Sequence, residues 1–133
     1  MNHKLPVWVV EDDEDDQYFI KLAFESIKPP IDVKLLSDGD QLLPNLQQAT
    51  VLPQLILLDL NMQRQNGFET LQEVRATATF QDLPIVIFTT STDQNDLVKS
   101  MQLGASGFVT KSSNHIDLIK TVKSFIDTWS LAA

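Results

Sequence analysis

The distribution of apolar residues constrains this chain more than any other feature. They fall into five short runs, at 7–10, 33–36, 55–58, 85–88 and 108–110. The stretches between them carry apolar residues at helical spacing, such as Phe19, Ile20, Ala23, Phe24 and Ile27 after the first run. Strands alternating with helices predict an α/β fold built on a parallel sheet. The runs are nearly continuous rather than alternating, which predicts strands buried on both faces. Right-handed crossovers leave few arrangements; the doubly wound, flavodoxin-like order 2-1-3-4-5 with five helices is expected here, and other doubly wound orders fit the same pattern.

Punctuation between the runs fits this reading. The sequence Lys28-Pro29-Pro30 stops the first helix, and Ser37-Asp38-Gly39 reads as a turn. Leu42, Leu43 and Leu46 predict a second helix whose first turn must contain Pro44. Asn66-Gly67 marks a turn before a third helix, with Phe68, Leu71 and Val74 facing inward. Thr92 or Asp93 caps a fourth helix, with Leu97, Val98 and Met101 inward. Asn114, with Asp117 three residues on, caps a fifth that presents Leu118, Ile119, Val122, Phe125, Ile126 and Trp129.

At 133 residues the chain fits one domain, with no repeat or linker, and it is long enough to bury a core without staples. The absence of cysteine rules out disulfides, thiolate metal sites and a cysteine nucleophile. A net charge of -8 argues against nucleic acid and against an anionic membrane surface as partners. The N-terminal segment, which includes His3, lacks the apolar core and cleavage site of a secretory signal, and no run approaches the length of a bilayer span. The expectation is a complete cytoplasmic chain of residues 1–133 with no effector domain.

In open parallel sheets, sites form beyond the carboxyl ends of the strands. Here the first run leads into Glu11-Asp12-Asp13, the third into Asp59, the fourth into Thr89-Thr90 and the fifth into Thr110-Lys111. Crowded carboxylates repel one another, and a divalent cation relieves that repulsion. A set of oxygen ligands without histidine or cysteine suits Mg²⁺ better than zinc. A carboxylate at a strand end is placed to attack phosphorus. Phosphoryl transfer then needs positioning and charge stabilisation, which the cation, Lys111 and the Thr89 hydroxyl supply.

At this point the residues resemble a known family, the CheY-like receiver domains of two-component response regulators. The resemblance rests on Val9-Val10-Glu11-Asp12-Asp13, Leu57-Leu58-Asp59-Leu60-Asn61-Met62, Pro84-Ile85-Val86-Ile87-Phe88-Thr89 and Gly104-Ala105-Ser106-Gly107-Phe108-Val109-Thr110-Lys111, and it covers residues 7–129. It implies that Asp59 is the phosphoacceptor and also binds Mg²⁺. Asp12 would bind the cation directly, Glu11 through water and Asn61 through its backbone carbonyl. Thr89 and Phe108 would be the switch pair, and Lys111 would pair with a phosphoryl oxygen. Three departures stand out. Ser112 follows the lysine where proline is usual, Gln63 replaces a common proline after the phosphoacceptor and predicts a looser loop, and Phe108 lacks a tyrosine hydroxyl.

The partners implied are a histidine kinase or histidine phosphotransfer protein as donor and a downstream protein as target. The helix 4–strand 5–helix 5 face is the implied output surface and a possible homodimer contact. The only catalysis expected is the domain's own phosphorylation and dephosphorylation. A degenerate receiver used for docking is the main alternative. An aspartate-nucleophile phosphatase of the haloacid-dehalogenase kind is less favoured, because Asn61 stands where a second acid belongs and the acid follows the third run, not the first. A flavin carrier is disfavoured because Glu11-Asp12-Asp13 would repel a phosphate after the first strand. Asp13 to Asp16 read mostly as a solvated helix start, favoured by the macrodipole.

Overall fold

The computed structural model describes residues 7–28 and 30–131. Five parallel strands, β1 (Val7–Val10), β2 (Val33–Leu36), β3 (Leu55–Leu58), β4 (Ile85–Thr89) and β5 (Gly107–Thr110), form one sheet in the order β2-β1-β3-β4-β5. Helices α1 (Glu14–Glu25), α2 (Leu42–Gln48), α3 (Gly67–Arg75), α4 (Gln94–Gln102) and α5 (His115–Trp129) make the crossovers. Short 3₁₀ turns precede α2 (Gly39–Gln41) and β4 (Ala78–Phe80), which the apolar pattern did not predict.

Alternation along the strands divides the core in two. Val7, Val9, Leu55, Leu57, Val86 and Phe88 pack under α1 and α5 against Ala23, Phe24, Val122 and Phe125. Trp8, Val10, Ile56, Leu58, Ile85 and Ile87 face the other way, against Leu42, Leu46, Leu71 and Val74 of α2 and α3. The helix starts follow from local chemistry. The Asp13 carboxylate accepts from the Asp15 and Asp16 amides, and Asn66 and Glu69 form a reciprocal capping box at α3. Asp93, not Thr92, caps α4, and Asn114 accepts from the amides of Ile116 and Asp117. Pro44 does lie in the first turn of α2. The first helix ends at Glu25, ahead of the proline pair, of which Pro29 lies outside the described residues, as does His3.

Burial departs from the sequence expectation at the periphery. β5 is only partly buried and β2 half-buried, because each is an edge strand with a neighbour on one side only. Val98 and Met101 of α4 are exposed, as is Phe19 of α1. Only Ser100 of α4 is buried, since this nine-residue helix lies beside the edge strand rather than across the sheet centre.

The order of strands creates the crevice. The chain leaves β1 for β2 on one side and returns to β3 on the other, so the connections after β1 and β3 diverge. Val10 and Leu58 are register partners, which makes Glu11 and Asp59 lateral neighbours one step beyond the sheet. The ladder continues past the strands: the Asp59 amide donates to the Val10 carbonyl (3.1 Å), Glu11 to Leu36 (2.9 Å) and Lys111 to Thr89 (2.6 Å).

Candidate functional site

Because the ladder fixes their backbones, the acidic residues are held rigidly. Glu11 is 1% exposed and Asp59 8%. Carboxylate oxygens of Glu11, Asp12 and Asp59 all lie within 4.8 Å of one another. Three acids this close, with oxygen donors alone and no cysteine in the chain, fit a hard divalent cation. Asp59 divides its oxygens between two tasks. Oδ1 accepts from the Leu60 amide (2.7 Å) and the Asn61 amide (3.4 Å), while Oδ2 faces the Lys111 ammonium at 3.3 Å.

Lys111 starts from β5, two strands or roughly 10 Å from β3, so only a long side chain reaches across. It passes Phe88, whose ring centroid is 5.9 Å from Nζ, and ends among three carboxylates. Nζ hydrogen-bonds Glu11 Oε1, Asp16 Oδ2 (3.1 Å) and Asp59 Oδ2. Burial pushes the Glu11 carboxyl up to about 8; Lys111 opposes this shift and Asp59 adds to it. Burial alone would lower the Lys111 ammonium, but Asp59, Glu11 and Asp16 outweigh that effect and raise it. One lysine thus offsets only part of the negative charge the acids concentrate here, and burial favours the neutral form of Glu11.

Sequence reasoning missed Asp16, which it placed in the solvated helix start. Its signal was its spacing. Asp16 lies four residues before the buried Ile20, on the helix face turned toward the sheet. Gln17 was missed too, and its side-chain amide donates to the Glu11 carbonyl at 2.5 Å.

The remaining candidates surround this cluster. Thr89 is fully buried at the end of β4, and its hydroxyl oxygen accepts from the Ser91 amide (3.4 Å) rather than touching Asp59. The following loop is held by Ser91 donating to Asp96 (2.7 Å) and by Thr110 donating to the Ser91 carbonyl (3.0 Å). Phe108 is partly buried against the core face that holds Ile85 and Ile87. Asn61 is exposed in the loop after Asp59. Ser112 joins the α5 start, accepting from the Asn114 amide (3.1 Å) and contacting Asp117 (3.4 Å). A cavity of about 530 Å³ between α1 and the β5–α5 loop reaches Asp16, Phe19, Lys111 and His115. Among the described residues no helix is long and apolar enough to cross a membrane.

Comparison with known proteins agrees with this geometry. The response regulator receiver domain description matches residues 7–123. Response regulator Rcp1 of Synechocystis sp. is 30% identical over 128 residues, 92% of this chain and 87% of that protein. The phosphorylated cyanobacterial phytochrome response regulator RcpA superposes with a TM-score of 0.89 at 30% identity, covering 98% of this chain and 97% of that one. The Mn²⁺-bound form of Rcp1 gives a TM-score of 0.84 at 30% identity, covering 97% and 99%.

Proposed function

The chain belongs to the response regulator receiver domain family of two-component signalling, and on that premise we propose that Asp59 is its phosphoacceptor. The observation that carries this reading is the convergence of Glu11, Asp12 and Asp59 with Lys111 at one sheet edge. Mg²⁺ is the proposed ion, held by Asp12 and Asp59, by Glu11 through water and by the backbone carbonyl of Asn61. When bound, the ion neutralises carboxylate charge and lets an anionic phosphoryl group approach.

The side chains then have separate tasks. An Asp59 carboxylate oxygen attacks phosphorus of a phosphohistidine, the P–N bond breaks with its electron pair going to the imidazole, and an acyl phosphate forms. Lys111 turns its ammonium from Asp59 toward a phosphoryl oxygen. The Thr89 hydroxyl leaves the Ser91 amide for another oxygen, and Phe108 moves into the space this opens. The face formed by α4, β5 and α5 then changes its preferred partner, which requires only a biased equilibrium. Water attack on phosphorus later restores the carboxylate and releases phosphate. Residues 1–133 act in this reading as a single cytoplasmic receiver unit, whose only catalysis is its own modification and reset.

The donor is a histidine kinase or phosphotransfer protein. The relatives named for phytochrome signalling support a photoreceptor kinase as the first donor to test. Incubation with acetyl phosphate and Mg²⁺, read by intact mass, tests the assignment. One added phosphoryl group is expected, lost with chelator and in Asp59→Asn. Modification persisting in Asp59→Asn would overturn it, and no modification from any donor would favour a docking role.

A further inference from the structure

The six residues 61–66 that follow the phosphoacceptor and Leu60 lack the stiffening proline, since Gln63 stands in its place. Even so, they are not loosely held. At the base, the Gly67 amide donates to the Leu60 carbonyl at 3.0 Å, which closes the loop. At the near end, the Leu60 and Asn61 amides donate to Asp59 Oδ1. The far end is held from another part of the chain. Arg64 N donates to Asp38 Oδ2 at 3.0 Å, and Gln65 N donates to Asp38 Oδ1 at 2.9 Å.

Asp38 lies in the turn after β2 and reads in sequence as turn chemistry only. In the fold it is 6% exposed. Burial alone would raise its carboxyl, but amides of Arg64, Gln65, Asp40 and Gly39 outweigh that and hold it below the usual carboxylate range. The approach of the two segments is so close that a Cβ on Gly39 would lie 2.6 Å from the Gln65 carbonyl oxygen and 2.0 Å from Thr70 Oγ1. A neutral or mobile side chain would not hold two successive amides in this way, because charge-assisted bonds to a fixed carboxylate are the strong ones.

We infer that Asp38 is a positioning residue for phosphoryl transfer: by clamping the amides of Arg64 and Gln65 it fixes the loop that carries Asn61 beside Asp59, and so sets the affinity of the site for its divalent cation. The inference rests on the proposed role of Asp59 and deepens it. Asp38 touches neither phosphoryl group nor ion in this account; it acts through the backbone between residues 59 and 67.

The test compares three variants with the wild type at a temperature where all are folded. Asp38→Asn keeps the shape and loses the charge; Asp38→Ala loses both. Arg75→Met is the control, because Arg75 also ties distant segments, donating to the Gly104 and Phe80 carbonyls (both 2.9 Å), but at the opposite, amino-terminal edge of β4 and β5. Mg²⁺ titration calorimetry and the acetyl phosphate rate at saturating Mg²⁺ are measured for each, with amide exchange over residues 61–66. Outer-shell partners of metal sites are worth roughly 10–100-fold in affinity. Asp38→Ala is expected in that range and Asp38→Asn between it and the wild type, with faster exchange in the loop, while Arg75→Met stays within about twofold of wild type in Mg²⁺ affinity. Should Asp38→Ala fail to fold, Asp38→Asn alone decides. Unchanged Mg²⁺ affinity in folded Asp38→Asn, or an equal loss in Arg75→Met, overturns the inference while leaving Asp59 as phosphoacceptor. A wild-type protein that takes up neither Mg²⁺ nor phosphoryl group overturns the site assignment itself.

Discussion

Raising the pH from 6 to 8 should tighten divalent-cation binding, and the structure sets the size of the effect. Glu11 is 1% exposed, and its carboxyl titrates at about 8 instead of its ordinary 4.5, chiefly through burial. Burial therefore favours a proton on Glu11 at neutral pH. A cation on Asp12 and Asp59, bridged to Glu11 by water, would favour loss of that proton. If Glu11 is the only group that titrates on binding, apparent affinity rises on the order of 10–100-fold between pH 6 and 8. Protons are released as Mg²⁺ binds at pH 7. Folding stability carries the companion sign. Because the folded pKa is raised, the native state holds the proton more tightly; this stability is fully present below about 4.5 and is lost as pH rises toward 8. Mg²⁺ restores it. The assay is calorimetry in buffers of different ionisation heat, with Glu11→Gln expected to abolish the pH dependence. An affinity that is flat from pH 6 to 8, with no proton released, would show that Glu11 does not titrate on binding.

Two further substitutions probe the same edge of the sheet. Lys111→Met removes the ammonium that faces Asp59 and should slow acetyl phosphate transfer by about 10²–10³-fold, while Mg²⁺ affinity holds or rises because a competing cation is gone; a parallel loss of Mg²⁺ binding in titration would contradict this assignment of roles. Gly67→Ala places a Cβ 2.4 Å from the Asp59 carbonyl oxygen and 2.8 Å from Leu60 Cα, both backbone atoms that cannot step aside. A loss of about 1–3 kcal/mol or more is expected in denaturant unfolding, and a variant as stable as wild type would show that the loop yields more readily than its contacts indicate.

The elements of this fold, and the candidates for its site, are legible in the chain alone. Runs such as Val7–Val10 and Leu55–Leu58 have too few polar groups to be anything but interior strands, and a helix cap such as Asn114 is a local event between near neighbours. Glu11, Asp12, Asp59, Thr89 and Lys111 are legible as candidates because each lies at or just beyond the end of an apolar run, and a parallel sheet carries all such positions to one edge. Which acids face which cation, and which apolar residues are covered, depends on how the elements pack. Asp16 and Asp38 sit in stretches that read as helix start and turn, yet one meets a lysine 95 residues away and the other two amides 26 and 27 residues away. Phe19, Val98 and Met101 follow helical periodicity but are exposed. Periodicity reports which face of a helix is apolar, whereas burial depends on how much of the sheet lies beneath it, and at an edge strand there is little.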